Sequence, residues 1–319
     1  MNKKRILITG AAGFIGFHMA KFFHQRGDFV LGFDNFNDYY DPRLKRARAN
    51  ELAKLDISII EKDINDDLAL HEAVNQHEIT HLLHLAAQAG VRYSLENPQA
   101  YLHANMKGFL SILEVCRKQP KMPLIYASSS SVYGLNQKIP FSIEDRTDHQ
   151  ASFYGVTKKS NELMAQTYHH LYGISVTGLR FFTAYGPWGR PDMAYFSFTR
   201  AILDKRPIDV YNQGQMFRDF TYIDDIVKGT AAAVDQSYPC ALFNLGNNQP
   251  EELSHLIELL EKELGIKAEK NFLPIQPGDV LSTFADIKES EEKLNFNPKT
   301  SLKEGVGHFI RWYKEYYKV

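Results

Sequence analysis

Arg5-Ile6-Leu7-Ile8-Thr9-Gly10-Ala11-Ala12-Gly13-Phe14-Ile15-Gly16 is the stretch that decides how the rest of the chain is read. A short apolar run stops at Thr9-Gly10. Glycines then recur every third residue, and an amphipathic helical pattern starts at once over 15–26. Glycine lets a backbone turn tightly between a strand and a helix and come close to a bound group. The helix then presents free N–H groups to negative charge, as a pyrophosphate cradle requires. The spacing Gly10-x-x-Gly13-x-x-Gly16 differs from the usual G-x-G-x-x-G. A strand–helix turn that merely needs glycines would read the same way, so other residues must decide.

Strand-like runs at 29–34, 58–62, 81–85 and 124–128 alternate with helical patterns at 66–76, 101–118 and 154–172, and 174–180 reads as one more strand. Such alternation predicts a parallel sheet covered on both faces: an α/β protein with a Rossmann-type doubly wound sheet. After Arg180 the pattern breaks at the turn-rich Tyr185-Gly-Pro-Trp-Gly-Arg-Pro191, and helices are predicted at 196–204, 223–236, 253–264 and 301–317. The expected division is a dinucleotide-binding domain over 1–182, with 219–245 returning to it, and a smaller α/β substrate-binding lobe over 183–319. The chain has 319 residues, 44% hydrophobic and 24% charged, with 37 Lys and Arg against 38 Asp and Glu. That balance gives no electrostatic case for nucleic acid or an anionic membrane. Cys116 and Cys240 have no metal spacing, and the first apolar run is too short for a signal or a span, so the expected setting is cytoplasmic.

Further residues bear on the cradle. Phe14 and Ile15 lie within the glycine turn. Asp34 closes the second strand and is followed by Asn35. A carboxylate there can accept from adenosine ribose hydroxyls and would repel a 2′-phosphate, which favours NAD over NADP. It also reads as a solvated loop acid. Asp63-Ile64 follows the third strand, within reach of an adenine amino group, or as a cap for the next helix. Leu85-Ala86-Ala87 ends the fourth strand with small side chains, which suits a cofactor against the backbone or close helix packing.

Tyr154 and Lys158 are four apart, on one face of a helix. Free tyrosine titrates at about 10, too high for a base near neutrality. A nearby ammonium and the positive ring of an oxidised nicotinamide would both favour phenolate. The run Ser128-Ser129-Ser130-Ser131 follows a strand, so its hydroxyls reach the ligand edge of the sheet and can bridge a substrate hydroxyl to the tyrosine. Together these point to redox chemistry at an alcohol carbon.

In this order, Gly10-x-x-Gly13-x-x-Gly16, the serine run with Val132-Tyr133-Gly134, Tyr154-x-x-x-Lys158, Arg180-Phe-Phe-Thr-Ala-Tyr-Gly-Pro187, Arg218-Asp-Phe-Thr-Tyr-Ile-Asp-Asp225 and Pro277-Gly278-Asp279-Val280 resemble the extended short-chain dehydrogenase/reductases acting on nucleotide sugars. Asp34-Asn-Phe-Asn-Asp-Tyr-Tyr-Asp-Pro42 and Tyr185-Gly-Pro-Trp-Gly-Arg-Pro-Asp-Met-Ala194 make the chain similar to the UDP-glucuronate 4-epimerase branch. The resemblance implies tightly held NAD, a UDP-sugar in the cleft and a homodimer paired through the helices at about 101–118 and 154–172. It makes Ser129, Tyr154 and Lys158 the catalytic residues, with Ser131 a second hydroxyl. It places Asn212 and Arg218 at the nucleotide and its diphosphate, and Asp279 near the uridine ribose. There the chain departs from many relatives, with Gln276 near the position of an arginine.

A 4-keto glucuronate is a β-keto acid that can lose carbon dioxide, so an epimerase must hold the carboxylate. Thr183 can donate a hydrogen bond, and Arg190 can clamp bidentately or be a plain loop arginine. Relatives that decarboxylate or dehydrate usually carry an acid within the Ser/Thr segment, whereas 128–131 are all serine. The rivals are a UDP-galactose or UDP-N-acetylhexosamine 4-epimerase and, in another class, a non-catalytic NAD-sensing protein, which would typically have lost part of the Ser129, Tyr154 and Lys158 set. No metal site is expected: His81 and His84 face opposite sides of a strand, and His169-His170 lacks partners. Asp224-Asp225 is expected to cap a helix, Arg218-Asp219 can pair with each other, and Arg92 can touch phosphate or sugar.

Overall fold

The computed structural model describes residues 3–276 and 280–319. In chain order the elements of the first part are β1 (Arg5–Thr9), α1 (Phe14–Arg26), β2 (Phe29–Asp34), α2 (Pro42–Ala53), β3 (Ile59–Glu61), α3 (Asp67–Gln76), β4 (His81–His84), α4 (Tyr93–Glu96), α5 (Pro98–Tyr101), α6 (Gly108–Lys118), β5 (Leu124–Ser129), α7 (Phe153–Tyr172) and β6 (Val176–Phe181). There follow β7 (Thr183–Tyr185), α8 (Ala194–Leu203), β8 (Ile208–Tyr211), β9 (Phe217–Tyr222), α9 (Ile223–Gln236), β10 (Cys240–Leu245), β11 (Pro250–Glu252), α10 (Leu253–Leu264), β12 (Lys270–Leu273), β13 (Ser282–Thr283), α11 (Lys288–Leu294) and α12 (Leu302–Tyr317).

Seven of these strands form one parallel sheet in the order β10-β6-β5-β4-β1-β2-β3. In β1, Ile6 and Ile8 join one buried cluster and Leu7 the other. Side chains alternate across a strand, so a run apolar at every position must be covered on both faces. The helices end where local chemistry ends them. Ser152 caps α7 by accepting from the Gly155 N–H at 3.1 Å, and Gly173 stops it in the left-handed region at φ 69°. Asp41 caps α2 with Pro42 just inside, and Asp66 caps α3.

Strand order reverses direction at β1, between β2 and β4. In such sheets ligands bind beyond the carboxyl ends of the strands at this switch point. Gly10, Asp34, Leu85 and Ser129 all stand at those ends. The smaller lobe covers them. Its strand β9 pairs with β7 and β13 in parallel and with β11 antiparallel, while β8 pairs with β12. One hydrophobic cluster runs without a break from Ile6 and Ile8 into Phe196 and Phe309 of this lobe.

The stretch 219–245 divides. Strand β9 stays with the smaller lobe, whereas β10 adds to the large sheet beside β6 and α9 packs on α1. The predicted helix 101–118 is two pieces, α5 and α6, joined by a π-helical turn over Leu102–Lys107. The helix α2 was not among the predicted elements; its few apolar residues give no repeating pattern. Asp225 does not cap α9. It lies in the first turn, buried, and accepts from the Lys299 and Thr300 N–H groups at 3.3 and 3.1 Å, fastening a distant loop.

Candidate active site

A cleft of about 800 Å³ opens above the carboxyl ends of the large sheet. Its walls include Gly10, Gly13, Phe14, Ile15, Gly16, Asp34, Asn35, Asp63, Ile64, Leu85, Ala86 and Ala87 on one side. They also include Ser129, Ser131, Tyr154, Lys158, Thr183, Arg190 and Arg218.

The glycine turn is shaped by exclusion. Gly10 has φ 72°, and a Cβ there would sit 2.7 Å from the Ala86 backbone nitrogen. A Cβ on Gly16 would overlap the Gly10 carbonyl oxygen. The two backbones therefore meet where side chains cannot intervene, which leaves the α1 N-terminus open to a ligand. No side chain caps that end. A dinucleotide fits this cradle, and Asp34 fits its adenosine side. The Asp34 carboxylate is buried and accepts one backbone N–H on each oxygen, from Ala12 at 3.0 Å and Phe36 at 2.8 Å. Burial pushes its pKa up, against those hydrogen bonds and the charge of Lys45. Asp63 is not a helix cap, since Asp66 does that work. It gathers donors instead, from the Asn35 amide at 2.8 Å and the Asn65 backbone at 2.9 Å.

At the reactive end, the Ser129 hydroxyl accepts from the Ser131 N–H at 3.1 Å and hydrogen-bonds the Tyr154 phenol. Burial pushes the Tyr154 pKa up, and Ser129 and the charge of Arg190 pull it back. Lys158 is differently placed from the sequence expectation. Its Nζ donates to the Ala127 carbonyl at 2.9 Å, and burial lowers its pKa to about 8. The long side chain reaches strand β5, and the charge of Arg190 is one that favours the Tyr154 phenolate.

Behind the serines lies a buried network that the motifs did not announce. Ser128 donates to Glu162 at 2.7 Å, and Glu162 takes Arg180 on both oxygens at 2.8 and 2.9 Å. Arg180 also donates to the Tyr133 hydroxyl at 3.0 Å, which donates in turn to Asn244 at 2.7 Å. The register pairs Arg180 with Ser128 on one side and Asn244 on the other. Burial pushes the Glu162 pKa up, but the Arg180 fork outweighs it and keeps the carboxyl ionised. The only signal in the sequence is that Glu162 lies four residues beyond Lys158 on one helix face.

The loop after β7 is stitched to the first lobe. Arg48, fully buried, donates to the Trp188 and Gly189 carbonyls and to Ala12 O in the glycine turn. His18 on α1 meets Pro187 O at 2.9 Å. Arg190 on this loop is paired with Asp192, Nε to Oδ1 at 3.1 Å. Lys45 and Tyr39 also line the cleft; Tyr39 lies in the quoted stretch 34–42, but no role was read for either residue.

Two expectations fall elsewhere. Asn212 does not line the cleft. Its amide donates to Gln215 O at 3.0 Å, closing a turn in which its own φ is 49°, and the neighbouring Tyr211 takes the cleft wall. Asp219 does not pair with Arg218. It is buried, accepting from the backbone of Asn247, Asn248 and Ala285, and so ties three segments together. Asp279 lies outside the described residues. The guanidinium of Arg92 sits 4.7 Å from the Tyr211 ring centre. Among the described residues no metal-binding cluster is present, and no helix is long and apolar enough to cross a membrane.

The NAD dependent epimerase/dehydratase family matches residues 6–246. UDP-glucuronate 4-epimerase 4 of Arabidopsis thaliana is 51% identical over 99% of this chain and 76% of its own. The crystal structure of UDP-glucuronic acid 4-epimerase from Bacillus cereus, in complex with UDP-glucuronic acid and NAD, superposes with a TM-score of 0.91 at 35% identity. The match covers 98% of this chain and all of that one. A UDP-glucose 4-epimerase from Thermotoga maritima gives 0.89 at 28% identity, over 98% and 99% of the two chains. A glycine turn fitted to a dinucleotide, a Ser129–Tyr154 pair at its mouth and agreement along the whole chain have one meaning: the chain belongs to the NAD dependent epimerase/dehydratase family.

Proposed function

We infer that the chain is an NAD-dependent nucleotide-sugar 4-epimerase that interconverts UDP-glucuronate and UDP-galacturonate. The observation that carries this reading is the placement of Arg190, a cation on the cleft wall whose charge reaches the Tyr154 phenol. A uronate brings a carboxylate for that cation to meet, whereas a neutral sugar brings none. The relatives support the same choice, being more alike to this chain when named for UDP-glucuronate than for UDP-glucose.

Tyr154, as phenolate, takes the proton of the sugar 4-hydroxyl, and Ser129 favours that phenolate before the transfer. The NAD that this cradle would hold would supply the redox chemistry, taking hydride from the sugar C4 and giving it back to the other face of the 4-keto sugar. The glycine cradle and Asp34 hold the cofactor through the cycle, and Lys158 orients the nicotinamide ribose from its seat on Ala127 O. Thr183 and Arg190 hold the carboxylate of the 4-keto sugar out of line with the ketone π system. Ser131 supports the sugar, and Arg218 the diphosphate. Glu162, the buried carboxylate nearest the serines, is locked to Arg180 and so is poorly placed to shuttle a second proton.

The cofactor domain is taken as 1–182 with α9 and β10, and the sugar lobe as the remainder. We place the protein in the cytoplasm, where the free thiols of Cys116 and Cys240 stay reduced. A homodimer would cover the exposed Leu110, Val156, Leu163 and Leu171 on α6 and α7. Proton NMR of the purified protein with UDP-glucuronate and no added NAD tests the function. UDP-galacturonate without carbon dioxide is the expected result. Inversion of UDP-galactose or UDP-N-acetylglucosamine alone would transfer the protein to the neutral-sugar branch, and no turnover of any of them would make it a binding protein.

A further inference from the structure

Arg190 does not stand alone in the cleft. Asp192 grips one edge of its guanidinium, with Oδ1 taking Nε–H at 3.1 Å and Oδ2 taking a hydrogen of Nη2. The Tyr39 hydroxyl donates to the same Oδ2 at 3.2 Å. Tyr39 comes from the other lobe, in the loop after β2. Its ring packs 4.8 Å from Tyr93, and Gly90 leaves room for its hydroxyl, since a Cβ there would come within 2.8 Å. Arg190 and Asp192 are each about three-quarters buried, with 23% and 27% of their side chains exposed.

A guanidinium is a rigid plane with five N–H groups. Asp192 occupies the edge formed by Nε and one hydrogen of Nη2. The adjoining edge, formed by Nη1 and the second hydrogen of Nη2, is the right shape for another carboxylate. An arginine gripped on one edge cannot rotate, so the direction of the other edge is set before any ligand arrives. We propose that Asp192, steadied by Tyr39, is a positioning residue that aims Arg190 at the substrate carboxylate and thereby keeps that carboxylate from leaving as carbon dioxide.

This rests on the reading of Arg190 as the carboxylate partner. Asp192 and Tyr39 touch neither the sugar C4 nor the cofactor in this scheme; they act through Arg190. Asp192 also adjusts charge. Burial opposes the Arg190 cation, but Asp192 favours it and keeps it charged. The same buried setting raises the Tyr39 pKa to about 12, so Tyr39 is a donor at any working pH.

The test compares Asp192→Asn, Asp192→Glu, Tyr39→Phe and Arg190→Lys, each purified with its bound NAD quantified, on UDP-glucuronate. Inverted product and released carbon dioxide are both counted. Their ratio per turnover does not depend on how much of a variant is folded. Asp192→Asn keeps the shape but weakens the grip. It is expected to raise the carbon dioxide fraction about tenfold and to raise KM more than it lowers kcat, as for one charge-assisted hydrogen bond lost. Tyr39→Phe moves both the same way by less, and Asp192→Glu, which keeps the charge, recovers part of the loss. An unchanged product ratio in Asp192→Asn overturns the proposal. So does a lower KM, which would make Asp192 a competitor of the substrate carboxylate. Arg190→Lys separates the underlying reading: if it leaves the ratio and KM untouched, Arg190 does not hold the carboxylate at all, and the functional assignment of that residue falls with the proposal.

Discussion

The two walls of the cleft are built on different principles. The cofactor wall is backbone against backbone, with Gly10 under Ala86 and Gly16 under the Gly10 carbonyl. The opposite wall, the loop from Gly186 to Asp192, is held by side chains reaching across: Arg48 to Trp188 and Gly189, His18 to Pro187, Tyr39 to Asp192. A wall of backbone accepts no added atom. A wall of side chains can be re-aimed by single substitutions, and within one fold it is the wall on which substrate choice can vary.

The largest effect should come from the rigid wall. Gly16→Ala is expected to abolish retention of NAD, because its Cβ would overlap a carbonyl that cannot move without displacing β1. Protein purified with a full complement of NAD would break the comparison. Next is Tyr154→Phe, which lies where the walls meet. It should lower kcat by roughly 10²–10⁴-fold while leaving NAD bound, as for loss of a general base; a smaller drop with unchanged pH dependence would assign the base elsewhere.

On the stitched wall, Arg48→Met leaves buried carbonyls of Trp188 and Gly189 without their donor. The expected cost is ~1–3 kcal/mol of stability, read as a lower midpoint in urea, together with a raised KM for the sugar nucleotide and unchanged affinity for NAD. Equal losses on both ligands would show that the walls are not independent.

The effect that is smallest at neutral pH comes from two buried histidines. Burial lowers the pKa of His18 to about 4 and that of His84 to about 3. The unfolded chain binds these protons near 6.5 and the folded one does not, so it holds more protons in the window between. Stability is then present above pH 6.5 and is lost as pH falls toward 4, by about 1.4 kcal/mol per pH unit for each histidine. His18→Gln should remove the His18 share of the fall in melting temperature between pH 6.5 and 4 and leave that of His84.

Local rules determined much of this molecule from its sequence. The glycine spacing, the alternation of strand and helix, and the four-residue step from Tyr154 to Lys158 are consequences of backbone geometry over a few residues. The structure brings Gly10, Asp34, Ser129, Tyr154 and Lys158 to one cleft as that geometry requires. What the fold alone decided depends on partners far apart in the chain. Arg190 gains its setting from Tyr39, and Ser128 and Glu162 are organised by Arg180. Asp219 is withdrawn from Arg218 to hold Asn247 and Ala285. Each of these is a polar group buried by packing, which must find a partner wherever the topology supplies one. No spacing in the sequence states which partner that will be, because the choice is made only when elements distant in the chain pack together.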